Sequence, residues 1–276
     1  MDITTIGEVV RRPDDRPGAS WRSGDAWLAG GTWLYSVPQP ELRRLVDLTT
    51  LGWEPLVASD AGLEIGATCT IRDLYAFEPP ADWTIGPLIR FSCESFLSSF
   101  KIWNAATVGG NICMSLPAGP MITLTVALDA TYTIWSPDGT DRSVPAAAFV
   151  TGDHQNVLAP GEILRRIDVA PAALRTRHTH RRFTLTHLGR STVFLVGTSS
   201  AAGDLRLTIT AGTTHPVVLR FASMPDAGAL REQLDAIPGD VWFDDPNGTP
   251  AHREHLTRHF AEEIRSELAA TAGAGA

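Results

Sequence analysis

The sequence predicts an α+β protein. Strand-like and helix-like stretches are mixed, without the regular βαβ rhythm of a doubly wound sheet. The 276 residues are 43% hydrophobic and 20% charged, which is ordinary globular composition with enough chain for one large domain or two modest ones. Two Gly-Gly pairs, in "LAGGTWLYS" (28–36) and "NAATVGGNICMSLPAGPM" (104–121), punctuate the first half.

In chain order, residues 1–20 are polar, hold Pro13 and Pro17, and read as surface chain. "AWLAGG" (26–31) is a short strand running into a glycine turn, and "RLVDLT" (44–49) is a second strand. "LEIGATCT" (63–70) is a third, after which Thr70 and Asp73 form a capping box for a helix through Phe77. "PLIRFSCESFLSSF" (87–100) carries apolar residues near helical spacing behind Pro87. A loop holds the second glycine pair, and a helix follows over 121–130. Residues 131–144 read as a hairpin around Pro137-Asp138-Gly139, and 162–169 as a strand. The composition changes at "APAALRT" (170–176), which marks a domain boundary. Strands "LRLTITAG" and "PVVLRF" follow. Thr249-Pro250 then opens an amphipathic helix to Leu268, and the tail "AATAGAGA" is low-complexity and expected to fray.

The bulk properties exclude several classes. A net charge of −8 disfavours nucleic acid and anionic membranes. No apolar run approaches the ~18–20 residues of a membrane span. The N-terminus lacks the apolar core of a signal peptide, so a cytoplasmic location is expected. Cys69, Cys93 and Cys113 are scattered, with no spacing suited to an iron–sulfur cluster. His252, His255 and His259 share a helix face without a completing metal ligand, so that face reads as solvated or partner-facing. The basic run "RTRHTHRR" (175–182) reads as a surface strand. No metal site and no catalytic acid, base or nucleophile is expected.

A Gly-Gly turn exposes successive backbone N–H groups with no Cβ in the way. Such groups bind phosphate oxygens when aimed at one point. Both pairs are read as strand-to-loop junctions with a hydroxyl beside them, Thr32 in one and Thr107 in the other. Two cradles suit a pyrophosphate. Neither matches the common nucleotide fingerprints. Trp33, inside the first loop, could wall off a cofactor.

"AGGT" near the start, "LEIGATCT" some thirty residues later and "ATVGGNI" after a helix resemble, in order and spacing, the flavin signatures of one family: the FAD-binding (medium) subunits of molybdenum hydroxylases, including the carbon monoxide dehydrogenase medium subunit and the xanthine dehydrogenase FAD domain. The resemblance covers about 25–170 and, more loosely, 180–268. It implies a vanillyl-alcohol oxidase type FAD-binding fold over 1–170, in two α+β subdomains (about 1–52 and 53–170). A small α+β C-terminal domain over 177–270 and a disordered tail over 271–276 follow. It implies FAD as cofactor, with Leu28, Ala29, Gly30, Gly31, Thr32, Trp33, Leu34 and Tyr35 on one side of the pyrophosphate. Thr107, Val108, Gly109, Gly110 and Asn111 would hold the other side, Leu97 on the preceding helix would pack near a ring, and Leu164 and Arg182 would add contacts. Arg182 stands where the family has lysine.

The family pattern S-P-A-x-D is replaced by Ser115-Leu116-Pro117-Ala118-Gly119-Pro120. Proline thus stands near the aspartate position, and a lost carboxylate contact is worth ~1–3 kcal/mol. The resemblance further implies a large molybdopterin-binding subunit and a small two-iron two-sulfur subunit as partners, in a dimer of heterotrimers. This chain would pass electrons from the partner's clusters through FAD to an acceptor. The alternatives are a scaffold subunit that has lost FAD and a self-contained flavin oxidase.

Overall fold

The computed structural model describes residues 4–11, 14 and 16–273. Pro13 and the tail residues 274–276 lie outside them. Among the described residues three sheets organise the chain, with a two-stranded ribbon beside them.

The first sheet is parallel. β1 (Glu8–Val10) and β2 (Asp25–Leu28) flank β3 (Arg44–Asp47). Arg44 is buried and bonds both carboxylate oxygens of buried Asp25. The leading segment is not all surface, because Pro17 and Gly18 are buried. A Cβ on Gly18 would lie 2.8 Å from the Gly161 carbonyl oxygen.

β4 (Leu56–Ser59) and β5 (Gly62–Gly66) start the second sheet, and the Thr70 hydroxyl caps α1 (Ile71–Ala76) as the sequence predicts. The helix expected over 87–100 is broken. α2 (Gly86–Glu94) stops where the Ser95 hydroxyl bonds back to Phe91 O. Leu97 then takes a left-handed conformation, φ 47°, and α3 (Phe100–Trp103) restarts the chain. Leu97 is therefore in a kink and not on a helix. The second glycine pair also differs from expectation. It lies in the first turn of α4 (Val108–Met114), capped by Thr107, and not in a loop.

α5 (Pro120–Ala127) is buried on every side, and the hydroxyls of its two threonines, Thr123 and Thr125, are met by Thr210, Tyr132 and backbone carbonyls. The predicted hairpin is β6 (Thr131–Trp135) and β7 (Asp141–Pro145). The one-turn α6 (Ala146–Phe149) leads into the ribbon of β8 (Val150–Gly152) and β9 (Gln155–Asn156). β10 (Ile163–Val169) completes an antiparallel sheet of order β4-β5-β10-β6-β7.

The third sheet is a meander of β11 (Arg177–Thr184), β12 (Ser191–Ser199), β13 (Leu205–Thr210) and β14 (Val217–Phe221). α7 (Ala227–Asp235) and α8 (Pro250–Gly273) follow. α8 continues past Leu268, so 271–273 are helical and not a disordered tail. The two faces of β13 differ. Leu205, Leu207 and Ile209 join a core with Ile264 and Leu268 of α8. Arg206, Thr208 and Thr210 alternate with them and are also buried. From that row Arg206 donates to Val126 O, and the Thr210 hydroxyl meets that of Thr123 at 2.6 Å. The seam between α5 and the third sheet is thus polar at several points.

The basic run 175–182 is spent on internal partners. Arg181 pairs with Glu263 and Glu267 of α8, Arg175 with Asp82, and Arg177 donates to Leu268 O. On α8, His252 meets the ring of Phe183 edge-on and His259 faces Glu263. Among the described residues no group of His, Cys, Asp and Glu could hold a metal, and no helix is long and apolar enough to cross a membrane.

Candidate functional site

The two glycine segments meet. Gly30 lies against the chain entering α4, where a Cβ would come 1.8 Å from Ala105 O. Gly109 packs as tightly on Ala67, with its Cβ site 2.6 Å from Ala67 O. These two glycines serve close backbone approach. Gly31 is glycine for a second reason: its φ is 66°, and a Cβ would strike the Tyr35 ring.

A cavity of about 430 Å³ opens between the segments, within the roughly 300–1,000 Å³ range of ligand sites. Ala29, Gly30, Gly31, Thr32, Trp33 and Leu34 line one side, and Thr107, Gly110 and Asn111 the other. Trp27, Ala29, Gly110 and Cys113 also border a narrower cavity of about 120 Å³, which Gly109 and Leu164 line as well. Phe96, Asn111 and Leu116 continue into a third of about 260 Å³, walled by Leu97, Pro120 and Arg190. The three adjoin one another through these shared residues.

Four of the sixteen expected residues line none of the three. Leu28 and Tyr35 lie against Gly31 and support the turn from behind. Val108 is wholly buried in the core. Arg182 bonds Ser191 Oγ and Gly189 O, and reaches the third cavity only through Ser191. Sequence reasoning missed Cys113 and Met114, three and four residues beyond Gly110 on α4. Reading 108–114 as a helix would have placed them on the same face. Burial pushes the Cys113 thiol up to about 12, so it is a neutral wall.

The two segments are unequal as anion sites. In the second, every N–H of the first turn is taken. Val108 donates to Cys69 O, Gly109 to Ala67 O, Gly110 to the Thr107 hydroxyl and Asn111 to Thr107 O. This corrects the picture of a second N–H cradle. What it offers are side chains: the Thr107 hydroxyl proton and the Asn111 amide. Asn111 Oδ1 accepts from Met121 N–H at 3.1 Å, and its Nδ2 donates to no acceptor among the described residues. Pro120 takes the first position of α5, where its missing N–H costs nothing, and Asn111 serves the next donor.

The first segment is the donor-rich one. The loop closes on itself through Tyr35 N–H to Gly31 O at 2.9 Å. Among the described residues, the N–H groups of Gly30, Gly31, Thr32, Trp33 and Leu34 meet no acceptor. Five consecutive unspent donors on a cavity wall suit a multiply charged oxyanion, at about 1.5–3 kcal/mol for each charge-assisted bond formed. The residues present therefore fit the diphosphate of a dinucleotide.

Residues 21–172 match the family described as FAD binding domain in molybdopterin dehydrogenase, which is more than half of the chain. The chain belongs to that family. FAD is the cofactor the family assigns to this part of the fold. A xanthine dehydrogenase of Oryza sativa subsp. japonica is 38% identical over 115 residues, and the match covers 40% of this chain and 8% of that enzyme. A xanthine dehydrogenase FAD-binding subunit of Escherichia coli (strain K12) is 25% identical, over 79% of this chain and 77% of that one. The fold is shared with a chain of quinoline 2-oxidoreductase from Pseudomonas putida 86, with a TM-score of 0.80 at 19% identity over 99% of both chains. A chain of carbon monoxide dehydrogenase from Oligotropha carboxidovorans gives 0.76 at 21% identity, over 96% of this chain and 99% of that one.

Proposed function

We propose that this family member is the FAD-carrying electron-transfer subunit of a molybdenum hydroxylase, an oxidoreductase whose substrate chemistry sits on a partner. The partners are a large molybdopterin-binding subunit and a small two-iron two-sulfur subunit, in a dimer of heterotrimers in the cytoplasm. The observation that carries the reading is the run of unspent donors at Gly30–Leu34, whose residues line one cavity with Asn111 and Thr107.

When bound, FAD supplies reversible electron storage between the partner's clusters and an acceptor. The residues of this chain bind and orient. The Gly30–Leu34 amides hold diphosphate oxygens, and Asn111 Nδ2 and the Thr107 hydroxyl donate from the facing wall. Trp33, 44% exposed, is the large ring on the cavity wall. Leu97, Leu116 and Phe96 offer apolar surface to a ring in the third cavity. Leu164 and Ala67 do so in the narrow one.

The test is an absorption spectrum of the purified chain with a titration of added FAD, followed by co-purification with the two partner subunits. A flavin spectrum, or a melting temperature that rises with FAD, supports the reading. A colourless chain that takes up no FAD overturns it. Oxidation of a substrate by this chain alone would replace the electron-transfer role with that of a self-contained oxidase.

A further inference from the structure

One cation borders the three adjoining cavities. Among the described residues on their walls, Arg190 is the only lysine, arginine or histidine, and it stands in the third cavity. The only carboxylate is Glu162 in the narrow cavity, and Arg142 bonds both of its oxygens. The uncompensated charge on these walls is therefore positive.

The Arg190 guanidinium is reachable. Its side chain is half exposed, and it donates no hydrogen bond among the described residues. Its ion-pair neighbour, Asp245, lies 3.9 Å away and on none of the three walls. Asp245 has closer partners: Oδ1 accepts from Arg253 and from Asn247 N–H, and Oδ2 from Asn247 Nδ2. The backbone that presents Arg190 is braced by a second arginine. Arg182 bonds Gly189 O and Ser191 Oγ, in the residues on either side of Arg190. Arg182 is turned to that task and lines none of the cavities, although it holds the position where the family has lysine.

We infer that Arg190 meets the pyrimidine end of the flavin and raises its reduction potential, an assignment that rests on the FAD reading above. With the diphosphate at Gly30–Leu34, the three fused rings of the flavin fit the third cavity, about 260 Å³, better than the narrow one, about 120 Å³. Arg190 and Asn111 Nδ2 put donors on that wall. The pyrimidine end, with two carbonyls and N1, is the acceptor-rich end that matches them. Reduction by two electrons from the partner's clusters, with one proton from water, leaves one negative charge at that end. A guanidinium beside it stabilises the reduced ring more than the neutral oxidised one.

The midpoint potential of FAD bound to the full chain, measured by reductive titration beside a redox dye, tests this. Arg190→Gln should keep close to wild-type affinity for oxidised FAD while its preference for the reduced form falls about tenfold, the size of one charge-assisted bond. That fold-change is a downward shift of about 30 mV for a two-electron couple. Arg190→Lys keeps the charge and should recover most of it. Arg220→Gln makes the same change in net charge at an exposed arginine that lines none of these cavities, and should hold the wild-type potential. A wild-type chain that takes up no FAD overturns the function proposed above, and this assignment with it. With FAD bound, an unchanged potential in Arg190→Gln, an equal fall in Arg220→Gln, or a lysine variant as low as the glutamine one overturns the role of Arg190 alone. Loss of oxidised FAD from Arg190→Gln also overturns it, since Arg190 would then hold both redox forms alike.

Discussion

Gly30 and Ala105 fix the spacing of the two glycine segments. No side chain fits between them, because a Cβ at position 30 would sit 1.8 Å from the Ala105 carbonyl oxygen. That oxygen is backbone and cannot rotate away. Gly30→Ala therefore pushes the first loop off the α3–α4 connection, at an overpacking cost of about 1–3 kcal/mol. Gly110 differs: the only atom near its Cβ site is the Thr107 hydroxyl, at 2.8 Å. Gly110→Ala should cost less in the flavin-free protein and lose FAD affinity through a methyl on the cavity wall. Melting temperatures without FAD, set beside FAD titrations, separate the two. Equal losses of stability would show that the two positions do the same job.

Asn111 faces two ways. Its Oδ1 caps α5 through Met121 N–H, and its amide nitrogen is left for the cleft. Asn111→Asp keeps an acceptor for Met121 but places negative charge where diphosphate oxygens approach. Folding should change by about 1 kcal/mol or less, while FAD affinity falls at least about tenfold. Asn111→Leu should lose both the cap and the affinity. Chemical denaturation and FAD titration of the pair check this, and an Asn111→Asp protein with unchanged affinity would remove Asn111 from the cofactor site.

The fold class and most elements were legible because each carries a local signal, such as the Thr70 cap and the Pro137-Asp138-Gly139 turn. Membership of the FAD-binding family was legible too, through the order of the glycine signatures. The division of labour between those signatures was not. Which N–H groups of 108–111 are free depends on Ala67 and Cys69, some forty residues away in sequence. The kink at Leu97 was hidden because apolar spacing ran through it, and the bond from the Ser95 hydroxyl to Phe91 O that ends α2 leaves no mark in that spacing. Nothing local to "LRLTITAG" marks Arg206 as buried, because its cover comes from α5, whose Val126 O it meets.

Acid should loosen the join between the first part of the chain and the third sheet. The His180 ring lies 3.8 Å from that of Phe91, and its Nδ1 has no partner among the described residues. Burial lowers its pKa from 6.5 to about 4, helped by nearby His178 and Arg181. Burial lowers that of His178 as well. The folded form keeps His180 neutral while the unfolded chain takes up a proton below about 6.5. Its contribution is thus complete above that pH and declines as the pH falls towards 4. Melting temperature against pH should drop through this window in wild type and less in His180→Phe. Parallel curves would assign the acid sensitivity elsewhere.

Arg253 joins three backbone segments of the C-terminal part. It is 1% exposed and donates to Thr192 O, Ala211 O and Gly248 O, and it pairs with Asp245. Those carbonyls end or begin strands and the turn before α8, so one planar guanidinium closes the corner where sheet and helix meet. Arg253→Met keeps the bulk and removes every donor, so the Thr192, Ala211 and Gly248 carbonyls lose this partner and Asp245 loses its buried cation, keeping only its bonds from Asn247 and the more distant Arg190. A loss of about 3–5 kcal/mol is expected, the range for breaking a buried charge pair from one side. Arg253→Lys should recover little, since a single ammonium cannot span the fork. Urea denaturation of the flavin-free chain measures both. A loss below about 1 kcal/mol for the methionine variant would mean that water replaces the network at little cost.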